Sequence, residues 1–195
     1  VKNKAGIEKV IVSAAARGTA QDRGTVFDIF FNGECLGAGS ARELPNVGSF
    51  SGAGKYTQVY YNSYDVTEYV VQGDGNVIGA VGNCRDNNRG ILVQMTVFYK
   101  DGKKKILTNS GNADSGWKAL DGTRAFGDTG NFITTGYVNI FHDNINMNEY
   151  PSGWNKVFYD DSQWQAAKAG AAVADSKEGT NGRVLYPSQS ENVLR

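Results

Sequence analysis

The sequence predicts an all-β fold: an antiparallel β-sandwich of the jelly-roll kind, with one short helix. Three observations carry this. The stretch GILVQMTVFY alternates so that Ile91, Val93, Met95, Val97 and Tyr99 share one face while Leu92, Gln94, Thr96 and Phe98 share the other. Several shorter runs rich in β-branched and aromatic residues are each bounded by Gly, Asn or Asp. The chain's 25 glycines are spread between such runs as turn punctuation rather than gathered into a linker. Many short strands with turn signals between them form two packed layers whose loops collect at the ends.

In chain order, strands are expected at 9–14, 25–31, 57–61, 76–81 and 90–99. Gly73-Asp74-Gly75 reads as a hairpin tip, and Asp101-Gly102 as a second turn. Tyr56, Tyr60, Tyr61, Tyr64 and Tyr69 fall where cross-strand aromatic packing is expected, rather than a binding face. Residues 108–136 are rich in Gly, Asn, Asp and Thr, so long loops are expected there. The single helix is assigned to 160–170, DDSQWQAAKAG: Asp160 or Asp161 is the cap, Gln163 stands in the capping-box position and Gly170 is the stop.

A chain of 195 residues with 40% hydrophobic content fills one core, so a single domain over 1–195 is expected. It opens at Val1 without a basic-then-apolar leader and is expected to be a piece of a larger protein. Twenty basic residues balance 20 acidic ones, and only Lys103-Lys104-Lys105 cluster. A nucleic-acid footprint is therefore not expected. No apolar run approaches the ~20 residues that span a bilayer. Cys35 and Cys84 are the only cysteines; a disulfide and two free thiols both stay open, and the disulfide would imply an oxidising compartment.

Two phosphate-loop look-alikes fail. In GDGNVIG the third glycine comes late and strand-type residues follow it, and in SGAGKYT a tyrosine, Tyr56, stands where Ser or Thr must reach magnesium. His142 is the sole imidazole and no G-x-S-x-G turn occurs, which disfavours a Ser-His-Asp triad. Adjacent Asp160 and Asp161 are better explained by capping than by glycosidic cleavage. The segment that invites a functional reading is 142–154, HDNINMNEYPSGW, dense in Asn, Asp and Glu and closed by a tryptophan. The alternative is a surface turn whose asparagines bond their own backbone.

Four segments in order resemble the N-terminal β-sandwich module of bacterial α-L-rhamnosidases: IFFNGECLG, VYYNSYDVTEYVVQGDGNVIGAVGN, the stretch from RGILVQMTVFYKDG to SGWKA, and GWNKVFYDDSQWQAA. The resemblance implies a galactose-binding-like jelly roll that carries no catalytic residue, since the acid and base of such enzymes lie on a separate helical barrel. It implies an extracellular or periplasmic location and, by likeness to rhamnose-binding modules, a calcium-assisted sugar site just before the Gly-Trp. On that reading Asp143, Asn144, Asn146 and Glu149 are the calcium ligands, of the hard-oxygen type the ion prefers. Asn146, Asn148 and Trp154 contact the sugar, L-rhamnose or a related one. Asn146 stands near the family's Asp and Asn148 near its Arg; a shifted register uses Asp143-Asn144 instead. The family's Pro-Gly-Trp-Thr loop is replaced by NVGSFSGAGKYT, and GNCRDNNRG lacks the usual Gly-Trp. These replacements favour a rival expectation, a structural or adhesive module that self-associates or meets flanking domains.

Overall fold

The computed structural model describes residues 1, 4–17, 26–40, 58–83, 90–111, 114–126, 133–135, 138–140, 145–168 and 184–187. His142, Asp143, Asn144, Cys84, Tyr56 and the SGAGKYT stretch lie outside them. In chain order the elements are β1 (Ile7–Arg17), β2 (Val26–Phe31), β3 (Glu34–Ser40), β4 (Gln58–Asp65), β5 (Ile78–Asn83), β6 (Gly90–Tyr99) and β7 (Lys104–Asn109). There follow β8 (Lys118–Ala119), α1 (Thr123–Phe126), β9 (Ile133–Thr135), β10 (Val138–Ile140), β11 (Gln165–Ala166) and β12 (Val184–Pro187).

The molecule is an all-β sandwich. One layer is a five-stranded sheet in the order β12-β4-β1-β6-β7; the other is three-stranded, β3-β2-β5. Among the described strands every pairing is antiparallel except that of β12 with β4. Register aligns Val10 with Val97, Val12 with Met95 and Ala14 with Val93, so these side chains share one face, and all six are buried. From β2, Phe27, Ile29 and Phe31 complete the same core. Each large apolar side chain so buried contributes about 1.5–3 kcal/mol.

The turns follow the sequence chemistry. Asn32 and Gly33 have φ of 52° and 92° and join β2 to β3 as a two-residue hairpin, the left-handed pair that Asn-Gly adopts most easily. Asp101-Gly102 turns β6 into β7, where the Asp101 carboxylate accepts the Lys103 N–H at 3.0 Å. The bend at Gly73 is present, but it is no hairpin: it carries the chain from β4 in the large sheet to β5 in the small one. Two asparagines hold this crossover. Asn32 donates to the Tyr69 carbonyl and accepts from the Val77 N–H, while Asn76 bonds both N–H and C=O of Val71. Tyr61 and Tyr64 pack against the apolar core, whereas Tyr69 is exposed.

The helix expected at 160–170 does not form over its described residues. Asp160 accepts the Ser162 N–H at 3.0 Å in a local turn, Trp164 stacks on Trp154, and Gln165–Ala166 pair with Lys118–Ala119. A local side-chain bond and a long-range aromatic contact outweigh the weak helical pattern. The one described helix is α1, a single turn within the stretch read as loops, where Asp121 accepts from both the N–H and the hydroxyl of Thr123.

Residues 150–164 form a further covering on the outer face of the small sheet. Phe30 alternates outward from Ile29 and Phe31, and its register partner Gly79 shares that face. The Trp154 ring lies so close over Gly79 that a Cβ there would sit 2.5 Å from Cζ3. No described helix is long and apolar enough to cross a membrane.

Candidate functional site

The described part of the candidate segment begins as a tight turn fixed to α1. The Asn146 N–H donates to the Ala125 carbonyl at 2.8 Å, and the Asn146 carbonyl accepts from the N–H groups of Glu149 and Tyr150, each at 3.0 Å. Its side-chain Oδ1 accepts the Asn148 N–H at 3.1 Å. Asparagine thus builds the turn in the way its short amide permits. Asn146, Asn148 and Glu149 all stand exposed, together with Ile145 and Met147.

Tyr150 links this turn to the covering layer. Its ring meets Phe126 edge to face at 5.9 Å, and its hydroxyl accepts the Trp154 indole N–H at 2.8 Å. Trp154 meets Phe30 at 5.4 Å and 80°, stacks on Trp164 at 6.5 Å and 28°, and Tyr159 closes the series against Trp164 at 5.8 Å. Trp154 is therefore half-buried, with its polar edge already engaged. Lys118 pairs with Asp161 at 2.6 Å and ties β8 to the Asp-Asp-Ser turn. The Ser162 N–H and hydroxyl hold the Asp160 carboxyl below its ordinary value, with help from Lys118.

Of the expected sugar contacts, the structure brings Asn146 and Asn148 together on one exposed turn, and sets Trp154 beyond Tyr150 in the aromatic stack. Of the expected calcium ligands, Asn146 and Glu149 share that turn, while Asp143 and Asn144 lie outside the described residues. Amide and carboxylate oxygens are the donor type calcium takes. Among the described residues no three His, Cys, Asp or Glu side chains converge as a metal cluster. Cys35 is exposed with a free thiol. Tyr150 has no signal in the sequence, because one tyrosine among ten carries no mark of its partner.

No family model matches the chain, and no curated protein matches its sequence. Among solved structures, an α-L-rhamnosidase from Dictyoglumus thermophilum is similar at 22% identity with a TM-score of 0.54, over 96% of this chain and 18% of that one. A Streptomyces avermitilis α-L-rhamnosidase complexed with L-rhamnose aligns at 18% identity with a TM-score of 0.49, over 88% of this chain and 15% of that one. The protein thus shares the fold of a minor part of an α-L-rhamnosidase chain.

Proposed function

We propose that this chain is a non-catalytic carbohydrate-binding accessory module that recognises L-rhamnose or a related sugar. The observation that carries the reading is the fold likeness, which takes in 96% of this chain but only 18% of a glycosidase. Asn146, Asn148 and Trp154 contact the sugar, and Asp143, Asn144, Asn146 and Glu149 would hold a calcium ion. A calcium ion held there would supply a Lewis-acidic anchor for sugar hydroxyls. The turn's own contribution is to present amide and carboxylate oxygens on a backbone already closed by three N–H bonds, two to the Asn146 carbonyl and one to its side chain. The same reading makes the protein a secreted one, extracellular or periplasmic. Calorimetric titration with L-rhamnose, with and without a chelator, tests it. Saturable binding that is lost on chelation and in Asn146→Ala or Asp143→Ala is expected. Turnover of an aryl rhamnoside by this chain would overturn the non-catalytic reading, and absence of sugar binding would overturn recognition.

A second reading, a structural or adhesive module, is favoured by one observation. Among the described strands β7 ends the large sheet, Ile106 is 54% exposed and Leu107 is exposed beside it. An apolar edge strand of this kind invites strand addition, although Lys104 and Lys105 oppose it. Self-association that rises with concentration and is removed by Ile106→Lys would support this second reading.

A further inference from the structure

The loop between Trp154 and Trp164 carries a residue that the stacking of those rings does not use. Phe158 is 98% exposed, and its φ of 70° lies in the left-handed region that bulky side chains avoid. The chain thus accepts two unfavourable features at one position, a strained backbone and a hydrated aromatic ring. Nor is the ring carried on a loose tip. Val157 packs beside Gly75, the Tyr159 ring meets Trp164, and the Tyr159 N–H closes on the Lys156 carbonyl at 3.4 Å.

We infer that Phe158 is an aromatic platform for one face of a pyranose ring, a contact additional to the 143–149 turn. This inference rests on the carbohydrate-binding reading. Size selects the occupant. One phenylalanine ring, with half-exposed Val71 near Gly75, offers far less than the roughly 800 Å² each partner buries in a stable protein interface. It matches a single sugar, whose axial C–H groups lie against a π face while its hydroxyls stay in water. The nearby exposed Lys156 and Asp160 are of opposite charge and polar, as at a sugar site; they do not form the basic face that a membrane surface requires. Fixed flanks keep the ring in place before binding, which removes part of the ordering cost.

Saturation-transfer NMR on the full chain in the presence of calcium tests this with methyl α-L-rhamnoside, methyl β-D-galactoside and methyl β-D-glucoside as probes. Transfer to the ring C–H protons of at least one probe is expected, with affinity reduced about fivefold in Phe158→Ala and retained in Phe158→Trp. Phe158→Gly should melt at a higher temperature than the wild type while losing the same affinity, a combination that a packing role would not give. Transfer lost in Asn146→Ala but unchanged in Phe158→Ala leaves the turn reading standing and overturns the Phe158 platform. Transfer lost in Phe158→Ala but retained in Asn146→Ala supports the platform and overturns the turn. No transfer to any probe overturns both. Self-association abolished in Phe158→Ala would make the ring a protein contact and also overturn the platform.

Discussion

Two residues illustrate how single atoms decide packing here. At Gly79 the close approach of the Trp154 ring leaves no room for a methyl group, so Gly79→Ala should destabilise by about 1–3 kcal/mol and shift the tryptophan emission. Gly90→Ala is the control: open space surrounds that position, and its melting temperature should not fall. Asp65 shows how the Tyr-Asp-Val-Thr segment works. Desolvation pushes its carboxyl up, but the Thr67 hydroxyl and N–H, with Lys9, together hold it below its ordinary value of 3.8. Thr67 in turn accepts the Val10 N–H at 2.9 Å, and Val66 is buried in the core. A carboxyl lowered by folding adds stability that is fully present above its unfolded value and is lost as pH falls through the folded one. Thermal melts of Asp65→Asn against pH should therefore show a deficit near neutrality that closes in acid below 3.8. Because Asp65 is half exposed, solvent screening keeps that deficit under about 1 kcal/mol.

Elements are legible in the sequence where alternation or turn chemistry marks them. β6 alternates because one face meets the core, whereas β1, β2, β4 and β5 show as β-branched and aromatic runs between Gly, Asn or Asp turns. β3 was hidden because its inward positions Gly37 and Gly39 lie under the Tyr64 and Phe27 rings, so the apolar signal of that strand belongs to its neighbours. β7 shows no alternation because as an edge strand it is exposed on both faces over its first four residues. The single turn of α1 is shorter than a helical period can reveal, and the apparent helix at 160–170 lost to contacts that only the folded chain supplies. The β2–β3 hairpin offers a test at this scale. Asn32→Ala removes three side-chain hydrogen bonds across the crossover and places a Cβ-bearing residue without a helpful amide at φ 52°. A loss of about 2–4 kcal/mol in chemical denaturation is expected.

Across the whole molecule, the residues that carried the family resemblance turn out to close the fold. Asn32-Gly33 makes the hairpin, Asp65 and Thr67 seal the end of β4, and Trp117 donates its indole N–H to the Thr108 hydroxyl. Trp154 and Trp164 roof the small sheet. The two-layer architecture was therefore readable from residues that serve it. The candidate site was legible only as a dense run of asparagines, whose turn-building role is visible in Asn146, while Phe158 carried no sequence signal because its backbone angle and exposure are set by the loop around it. The parallel pairing of Val184–Pro187 with β4 has a consequence for biosynthesis. As the ribosome extrudes the chain, no other described strand pairs with the β4 flank of the large sheet until this late segment emerges, long after the rest of that layer has been made. A polypeptide stopped just before Val184 should keep that hydrogen-bonding rim bare and precipitate more readily than the full chain, as light scattering during refolding would register.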